Sequence, residues 1–226
     1  MITAKSIGSA SLLLSTLLAI SVPVIMEQLY IEDAWIVVET TDDGISISEK
    51  EIPGIHVRAV RVSQVLNIEP GLIASVVEDV SNYGSFLKSA GAMQCTLLEK
   101  QEDALIGYQH VDIPMIPDRS YAFKMFRPDP GSTRVDWQLI SEKELASMEI
   151  PDDFQQQRTV YIDVGVGSWS MEHVNDGFYQ VSYRLIMDPG GWIPNRVSDY
   201  FNQITVLNIF KDAVTEASKR SRKVNG

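Results

Sequence analysis

The sequence predicts an α+β fold in which one curved antiparallel β-sheet wraps around a long C-terminal helix. Alternating, β-branched runs separated by turn residues recur from residue 35 to residue 187. After Pro194, apolar residues recur at spacings of three and four. A curved sheet cannot leave its concave face in water, and a helix of about 25 residues, roughly 37 Å long, can cover it. Because one helix does not fill such a concavity, we expect an internal apolar cavity.

Composition limits the class of partner. The chain has 226 residues, of which 45% are hydrophobic, and this suits one good-sized domain with a real core. Acidic residues outnumber basic ones by 30 to 19, and the net charge of -11 argues against nucleic acid as a partner. The lone Cys95 excludes an internal disulfide and is expected to pack as a small hydrophobe. No Cys/His spacing suits zinc, so we expect no metal and no cofactor.

Residues 1–26 predict a signal peptide or an N-terminal membrane anchor that is not part of the fold. No charge appears between Lys5 and Glu27, and leucines fill the centre of this run. Ala19-Ile20-Ser21 is a small-x-small cleavage site, and the uncut run of about 20 residues could span a bilayer. Both alternatives predict a protein exported by a bacterial cell, with the periplasm expected and secretion or inner-membrane anchoring as alternatives. A folded domain over 30–220 and a basic tail over 221–226 would follow.

The elements of the domain follow from turn signals and periodicity. The predicted strands are residues 35–40, 45–52, 56–66, 96–102, 105–111, 121–126, 134–140, 160–166, 168–174 and 178–187. Pro70 begins a helix that reaches Val80, and a short helix is expected within 81–91. Residues 141–157 are polar and acidic and predict a surface loop. The loop 112–121 contains two prolines yet keeps apolar residues, which predicts that it covers something apolar.

The terminal helix is expected to begin at Pro194, after Gly190 and Gly191 end the last strand. Its predicted buried stripe consists of Val197, Tyr200, Phe201, Ile204, Leu207, Phe210, Val214 and Ala217. The helix ends in four basic residues between 219 and 223, which complement the helix dipole. Contact of this cluster with a membrane is the alternative.

Three segments resemble those of START domains, the lipid-transfer branch of the helix-grip superfamily, and the resemblance runs from about Trp35 to Lys219. The segment DDGISISEKEIPG is similar to the family's opening hairpin, PMIPDRSYAF to its Pro…Asp-Arg-Asp-aromatic loop, and YRLIMDPGGWIPNRVSDYFN to its last strand, turn and terminal helix. Ser120 stands where the family often has a second acidic residue, and a family tryptophan is missing after Asp79. The resemblance implies a helix-grip fold whose closed cavity holds one sterol, phospholipid or related apolar molecule, gated by the loop DIPMIPDR against the front of the terminal helix.

The candidate ligand-binding residues come from this gate, the terminal helix and the sheet. They are Met115, Ile116, Arg119, Phe123, Met125, Trp137, Trp169, Met187, Tyr200, Phe201, Ile204 and Leu207. Ordinary core packing is the alternative for each apolar member. For Arg119 we expect its guanidinium to bind a lipid hydroxyl or phosphate, and the alternative is a salt bridge to Asp118 or another carboxylate that fixes the loop.

Functional alternatives remain open at this point. His56, His110 and His173 have no partner nearby in the sequence, so we identify no catalytic residue and expect no enzyme. The main hypothesis is a monomeric carrier of a lipid or other apolar molecule that contacts membranes transiently. The alternatives are a cyclase or aromatase of the same superfamily and a periplasmic lipid sensor. Two or more converging ionisable groups in the cavity would favour chemistry, and a mostly apolar cavity would favour carriage.

Overall fold

A computed structural model describes residues 21–89, 92–112, 116–154, 159–190 and 195–224, without the side chains of 92, 153, 195–203 and 224. Its strands are β1 (Ile36–Thr40), β2 (Ser46–Lys50), β3 (Ala59–Leu66), β4 (Ala92–Lys100), β5 (Ala104–Asp112), β6 (Arg119–Phe126), β7 (Val135–Leu139), β8 (Val160–Tyr161), β9 (Gly165–Asn175) and β10 (Phe178–Met187). Its α-helices are α1 (Val22–Tyr30), α2 (Pro70–Val77), α3 (Tyr83–Phe86), α4 (Glu142–Leu145) and α5 (Asn195–Val224), and 3₁₀ turns lie at Val80–Asn82 and Asp152–Phe154.

All ten strands form one sheet, in the order β1-β2-β3-β10-β9-β7-β6-β5-β4. Every pair along this path is antiparallel, and only the short β8 pairs in parallel, with β6. Since α5 packs on the concave face, the predicted α+β helix-grip fold is confirmed. Long strands alternate inward and outward side chains, so one face of the sheet lines the core around α5.

Helix α5 is held against the sheet by its second half. Val206, Phe210, Ala213 and Ala217 are buried at spacings of four, three and four, which places them on one side of the helix. The Phe210 ring stacks on Trp169, with 5.8 Å between ring centroids. The helix extends to Val224, so residues 221–224 continue it rather than forming the predicted tail. Its basic last turn suits the negative end of the helix dipole.

Residues 22–30 belong to the fold, which therefore begins earlier than the predicted boundary at residue 30. Helix α1 starts after Ser21, with a proline in its first turn, and packs on the convex face of the sheet. Ile25 and Leu29 are buried there against Val166 and Ile186. Among the described residues, no helix is both long and apolar enough to cross a membrane. Residues 1–20 lie outside the described residues, so the signal peptide or anchor stays a prediction.

The acidic segment after β7 is not only a surface loop, as the sequence suggested. Ser141 caps α4 by accepting a hydrogen bond from the Glu144 amide, and Leu145 is buried. Leu145 joins a small cluster that includes Ile106 and Tyr108 on the convex side of the sheet. A few apolar residues within a charged segment are enough to fix it. The strand predicted at 160–166 also differs, because only Val160 and Tyr161 form β8.

Candidate functional site

A cavity of about 100 Å³ lies between the concave face of the sheet and α5. Apolar and aromatic side chains form most of its wall. The described lining residues are Val76, Val77, Tyr83, Phe86, Leu87, Gln109, Tyr121, Phe123, Met125, Trp137, Trp169, Tyr183, Leu185, Met187, Thr205, Val206, Ile209 and Ala213. Not one of these is an Asp, Glu, Lys, Arg or His. The wall therefore suits an apolar molecule, for which enclosure itself is the main source of affinity.

The structure brings together all five sheet residues that the sequence singled out. Phe123 and Met125 of β6, Trp137 of β7, Trp169 of β9 and Met187 of β10 line the cavity. They are brought together because residues two apart on a strand share a face, and β6, β7, β9 and β10 are consecutive neighbours in the sheet. Whether they contact a ligand stays a prediction.

On the helix side, the described lining residues are not the ones predicted. Thr205, Val206, Ile209 and Ala213 line it, whereas Ile204 is 39% exposed and Leu207 packs half-buried beside the core. The prediction relied on large side chains, but close packing of helix on sheet favours small ones such as Ala213. The side chains of Tyr200 and Phe201, and the whole of Met115, lie outside the described residues. Ile116 is half-buried and is not among the described lining residues.

Arg119 is buried and binds backbone rather than a carboxylate. Its Nε donates to the Pro189 carbonyl at 2.8 Å, and its terminal nitrogens donate to the carbonyls of Gly190, at 3.2 Å, and Pro117. Burial lowers the pKa of Arg119, and nearby Asp118 works in the opposite direction. The side chain thus ties the start of β6 to the segment before α5. It is not among the described lining residues.

Two glycines let aromatic rings lie flat against the concave face. A Cβ atom on Gly167 would stand 2.4 Å from the Trp137 indole, and one on Gly107 would stand 2.4 Å from the Phe123 ring. Each glycine is the cross-strand partner of the aromatic residue it accommodates. The cavity keeps its volume because these rings cover glycine backbone instead of projecting inward.

Three tyrosines, Gln109 and Thr205 give the described cavity wall its hydroxyl and amide groups, and sequence reasoning missed all five. Burial raises the pKa of Tyr83, Tyr121 and Tyr183 far above the usual value, so all three stay protonated. Gln109 donates to the Met93 sulfur at 3.2 Å. Alternation could have found Tyr121 and Tyr183, because they precede Phe123 and Met187 by two and four residues and so share their faces.

Residues His110 and Asp118 pair on the opposite face of the sheet. His110 is buried, and its Nε2 lies 3.1 Å from an Asp118 carboxylate oxygen. It follows the cavity-lining Gln109 in β5, so its side chain points away from the cavity. The sequence did not predict this pair. Because it lies on the face away from the cavity, it is positioned to fix the chain after β5 rather than to act on a bound molecule.

A second group of buried polar residues lies on the convex face, beneath α1. Asp136 is 2% exposed and binds the Arg134 guanidinium through two contacts of 2.8 and 2.6 Å, and it accepts a hydrogen bond from Ser168 at 2.6 Å. Tyr30, at the end of α1, completes the cluster by bonding to Ser168 and Asp136. The guanidinium of Arg134 stacks on the Tyr30 ring at 3.7 Å from its centroid, and that of Arg184 lies at 4.8 Å.

Helix α1 is fixed to this convex face by a lysine as well. The Lys50 ammonium donates to the carbonyls of Gln28 and Ile31, both at 2.7 Å, which satisfies backbone acceptors at the end of the helix. Burial lowers the pKa of Lys50, and nearby Glu32 opposes that effect. These contacts explain why a short apolar helix that the sequence assigned to a leader stays on the domain.

No family model matches the chain. A curated relative, an uncharacterized protein of Pseudomonas aeruginosa, is 24% identical over 181 residues, which cover 79% of this chain and 85% of that protein.

Several solved structures share the fold of this chain. A STAR-related lipid transfer protein fragment from Xanthomonas axonopodis has a TM-score of 0.63 at 17% identity, covering 82% of this chain and 99% of that one. Human STARD10 has a TM-score of 0.68 at 11% identity, covering 88% and 78%. The Zhui aromatase/cyclase from Streptomyces has a TM-score of 0.53 at 14% identity, covering 76% and 99%. The fold is therefore the one found in START proteins, as the sequence predicted.

Proposed function

We propose that the protein binds one apolar small molecule in the cavity between its sheet and α5, and carries it through water between membranes. The observation that carries this proposal is the cavity between sheet and helix, whose described wall consists mostly of aromatic and aliphatic side chains and holds no charged residue. Burial of apolar surface contributes about 25 cal/mol per Å², so such a wall can retain a lipid without any covalent step. The likeness to lipid-transfer proteins supports the same function.

The cavity must enlarge to take a whole lipid. Its volume of about 100 Å³ is below the roughly 300–1,000 Å³ of ligand pockets for drug-sized molecules. The second half of α5 is anchored by its buried stripe and by the Arg220–Asp79 ion pair at 2.7 Å. We therefore expect this half of the helix to stay in place when the cavity enlarges.

Carriage is favoured over a cyclase or aromatase reaction. General acid–base catalysis works best when the pKa of the group lies near the working pH. The titratable groups in the described lining are the three tyrosines, and burial moves their pKa values away from that range. A sensor would have the same cavity as a carrier, and only transfer between membranes separates these two functions.

Export is part of the same proposal. The uncharged N-terminal run supports either a cleaved leader or an anchor, and we propose that the domain works in the periplasm. N-terminal sequencing of the protein from its host, together with cell fractionation, tests this. A mature N-terminus near residue 21 supports the leader, an intact chain in the membrane supports the anchor, and an intact chain in the cytosol contradicts export.

Native mass spectrometry and a transfer assay test carriage. We expect the full-length chain, purified from its host, to retain a lipid, and to move a fluorescent sterol between phosphatidylcholine vesicles. The variant Ile209→Trp should reduce transfer about tenfold or more, because the new indole occupies the cavity beside Val206 and Ala213. In the matched control, Ile204→Trp, the same change falls on an exposed position of the same helix and should leave transfer within twofold. Equal transfer by both variants would contradict the proposal.

A further inference from the structure

Two polar groups of the cavity wall lie side by side on neighbouring strands. Gln109 of β5 is the register partner of Cys95 in β4 on one side and of Tyr121 in β6 on the other, so these three share the concave face. Tyr183 also lines the cavity and contributes to the raised pKa of Tyr121. Gln109, Tyr121 and Tyr183 are thus the polar side chains that the sheet contributes to the described wall.

The phenols of the cavity differ in what their hydroxyls bind. Tyr83 donates to the Val77 carbonyl and is therefore engaged. The Trp137 indole, which can only donate a hydrogen bond, lowers the pKa of Tyr183 and so opposes the larger effect of burial. The Tyr121 side chain is 8% exposed and lines the cavity, and its hydroxyl has no hydrogen-bond partner within the described part of the chain. Because this hydroxyl belongs to a cavity-lining side chain, a ligand oxygen in the cavity would supply an acceptor for it.

The lack of charged residues in the described wall favours uncharged ligands. At the described lining, which contains no Lys, Arg or His, an anionic carboxylate or phosphate would leave water without meeting a cation. The phenols stay neutral, so they bind an uncharged oxygen without introducing a charge of their own.

Resting on the function proposed above, we propose that Tyr121 determines specificity, and that the ligand is an uncharged apolar molecule with a hydroxyl or carbonyl oxygen that accepts a hydrogen bond from the Tyr121 hydroxyl. Gln109 and Tyr183 flank this contact. The proposal selects neutral alcohols and ketones, such as a sterol-like or isoprenoid alcohol, over fatty acids and phospholipids.

Equilibrium dialysis of the full-length chain with naphthalene, 2-naphthol and 2-naphthoate at pH 7 tests this inference. The three probes share a ring system and differ in the polar group. We expect Tyr121→Phe to weaken 2-naphthol about three- to tenfold, the size of one neutral hydrogen bond, and to leave naphthalene unchanged within twofold. We expect 2-naphthoate to bind the wild type at least tenfold less tightly than 2-naphthol.

The matched control is Tyr161→Phe, which removes a hydroxyl away from the described cavity wall. Because that hydroxyl donates to the Ile140 carbonyl at 2.8 Å, this variant should melt at a lower temperature and bind 2-naphthol as the wild type does. Should Tyr121→Phe fail to fold, Tyr121→Met replaces it, and its loss of 2-naphthol affinity should exceed its loss of naphthalene affinity. Equal affinity for 2-naphthoate and 2-naphthol, or 2-naphthol binding unaffected by the Tyr121 variant, would overturn the inference alone. Failure of all three probes to bind the wild type would overturn the proposed function as well.

Discussion

The two faces of the sheet bury polar groups under opposite conditions. On the convex face, Asp136, Arg134 and Arg184 are charged, and they meet their partners in direct contact beneath α1. On the concave face the polar groups are neutral and border a space of about 100 Å³. The Nε atoms of Arg61 and Arg184 lack a partner among the described residues, yet each guanidinium keeps an ion pair. A buried charge must be paired within the protein, because leaving it unpaired is very costly. A neutral hydroxyl that lines a cavity costs less and can remain without a partner until a ligand binds.

Removing the Asp136 carboxylate should have the largest effect, because it lowers stability through the convex face and leaves binding at the concave face unchanged. Asp136→Ala leaves Arg134, Ser168 and Tyr30 without their shared acceptor, and we expect the free energy of unfolding to fall by about 3 kcal/mol. Probe binding by the folded protein should not change. Urea unfolding and equilibrium dialysis measure the two effects. Glu172→Ala, which removes an exposed partner of Arg184, is the control and should cost less than about 1 kcal/mol.

A glycine substitution on the concave face should weaken probe binding, which Asp136→Ala leaves unchanged. Gly167→Ala places a methyl group against the Trp137 indole, so the ring must move toward the cavity. We expect a cost of about 1–2 kcal/mol in unfolding free energy, from overpacking, and a loss of naphthalene affinity of about tenfold. Gly84→Ala is the control, because nothing lies within 4 Å of its new Cβ, and we expect it to leave binding unchanged. Normal binding by Gly167→Ala would mean that the ring position does not set the cavity volume.

The smallest expected effect is that of alkaline pH on the convex face. Burial raises the pKa of Tyr30 from 10.0 to about 12. Between these values the folded protein keeps a proton that the unfolded chain releases, so stability is fully present below pH 10 and falls as pH rises toward 12. Tyr83, Tyr121 and Tyr183 act in the same direction. Urea unfolding from pH 8 to 12 should show a shallower decline for Tyr30→Phe than for wild type, and identical slopes would contradict this account.

Sequence reasoning performed differently on the sheet and on the helices. Period-two alternation is strict in long strands, so Trp169 and Met187 could be placed on the concave face without coordinates. Extending the same alternation by two residues would have included Tyr121. The helix stripe was predicted less well: Phe210 and Ala217 are buried as predicted, but Ile204 is 39% exposed, and the buried Ala213 was not predicted. Helical periodicity predicts which side of a helix is buried only to within part of a turn.

The convex face could not be predicted at all. An uncharged apolar run at the N-terminus predicts a leader, regardless of what its last turns pack against. Nothing near Tyr30 in the sequence indicates its partners Asp136 and Ser168, which are more than 100 positions away. The available signal was Ser21 followed by a proline in the first turn, a common start of a helix. The Arg119 contacts were missed for a related reason, because backbone carbonyls are acceptors at every position and leave no mark in the sequence.

The pairing of β3 with β10 has a consequence for how the protein is made. Ser63 pairs with Ser182, so about half of the chain separates two strands that lie side by side in the middle of the sheet. Closing so long a loop is entropically costly, and folds dominated by such distant pairings assemble slowly. The central seam cannot form until the ribosome has synthesised nearly the whole polypeptide.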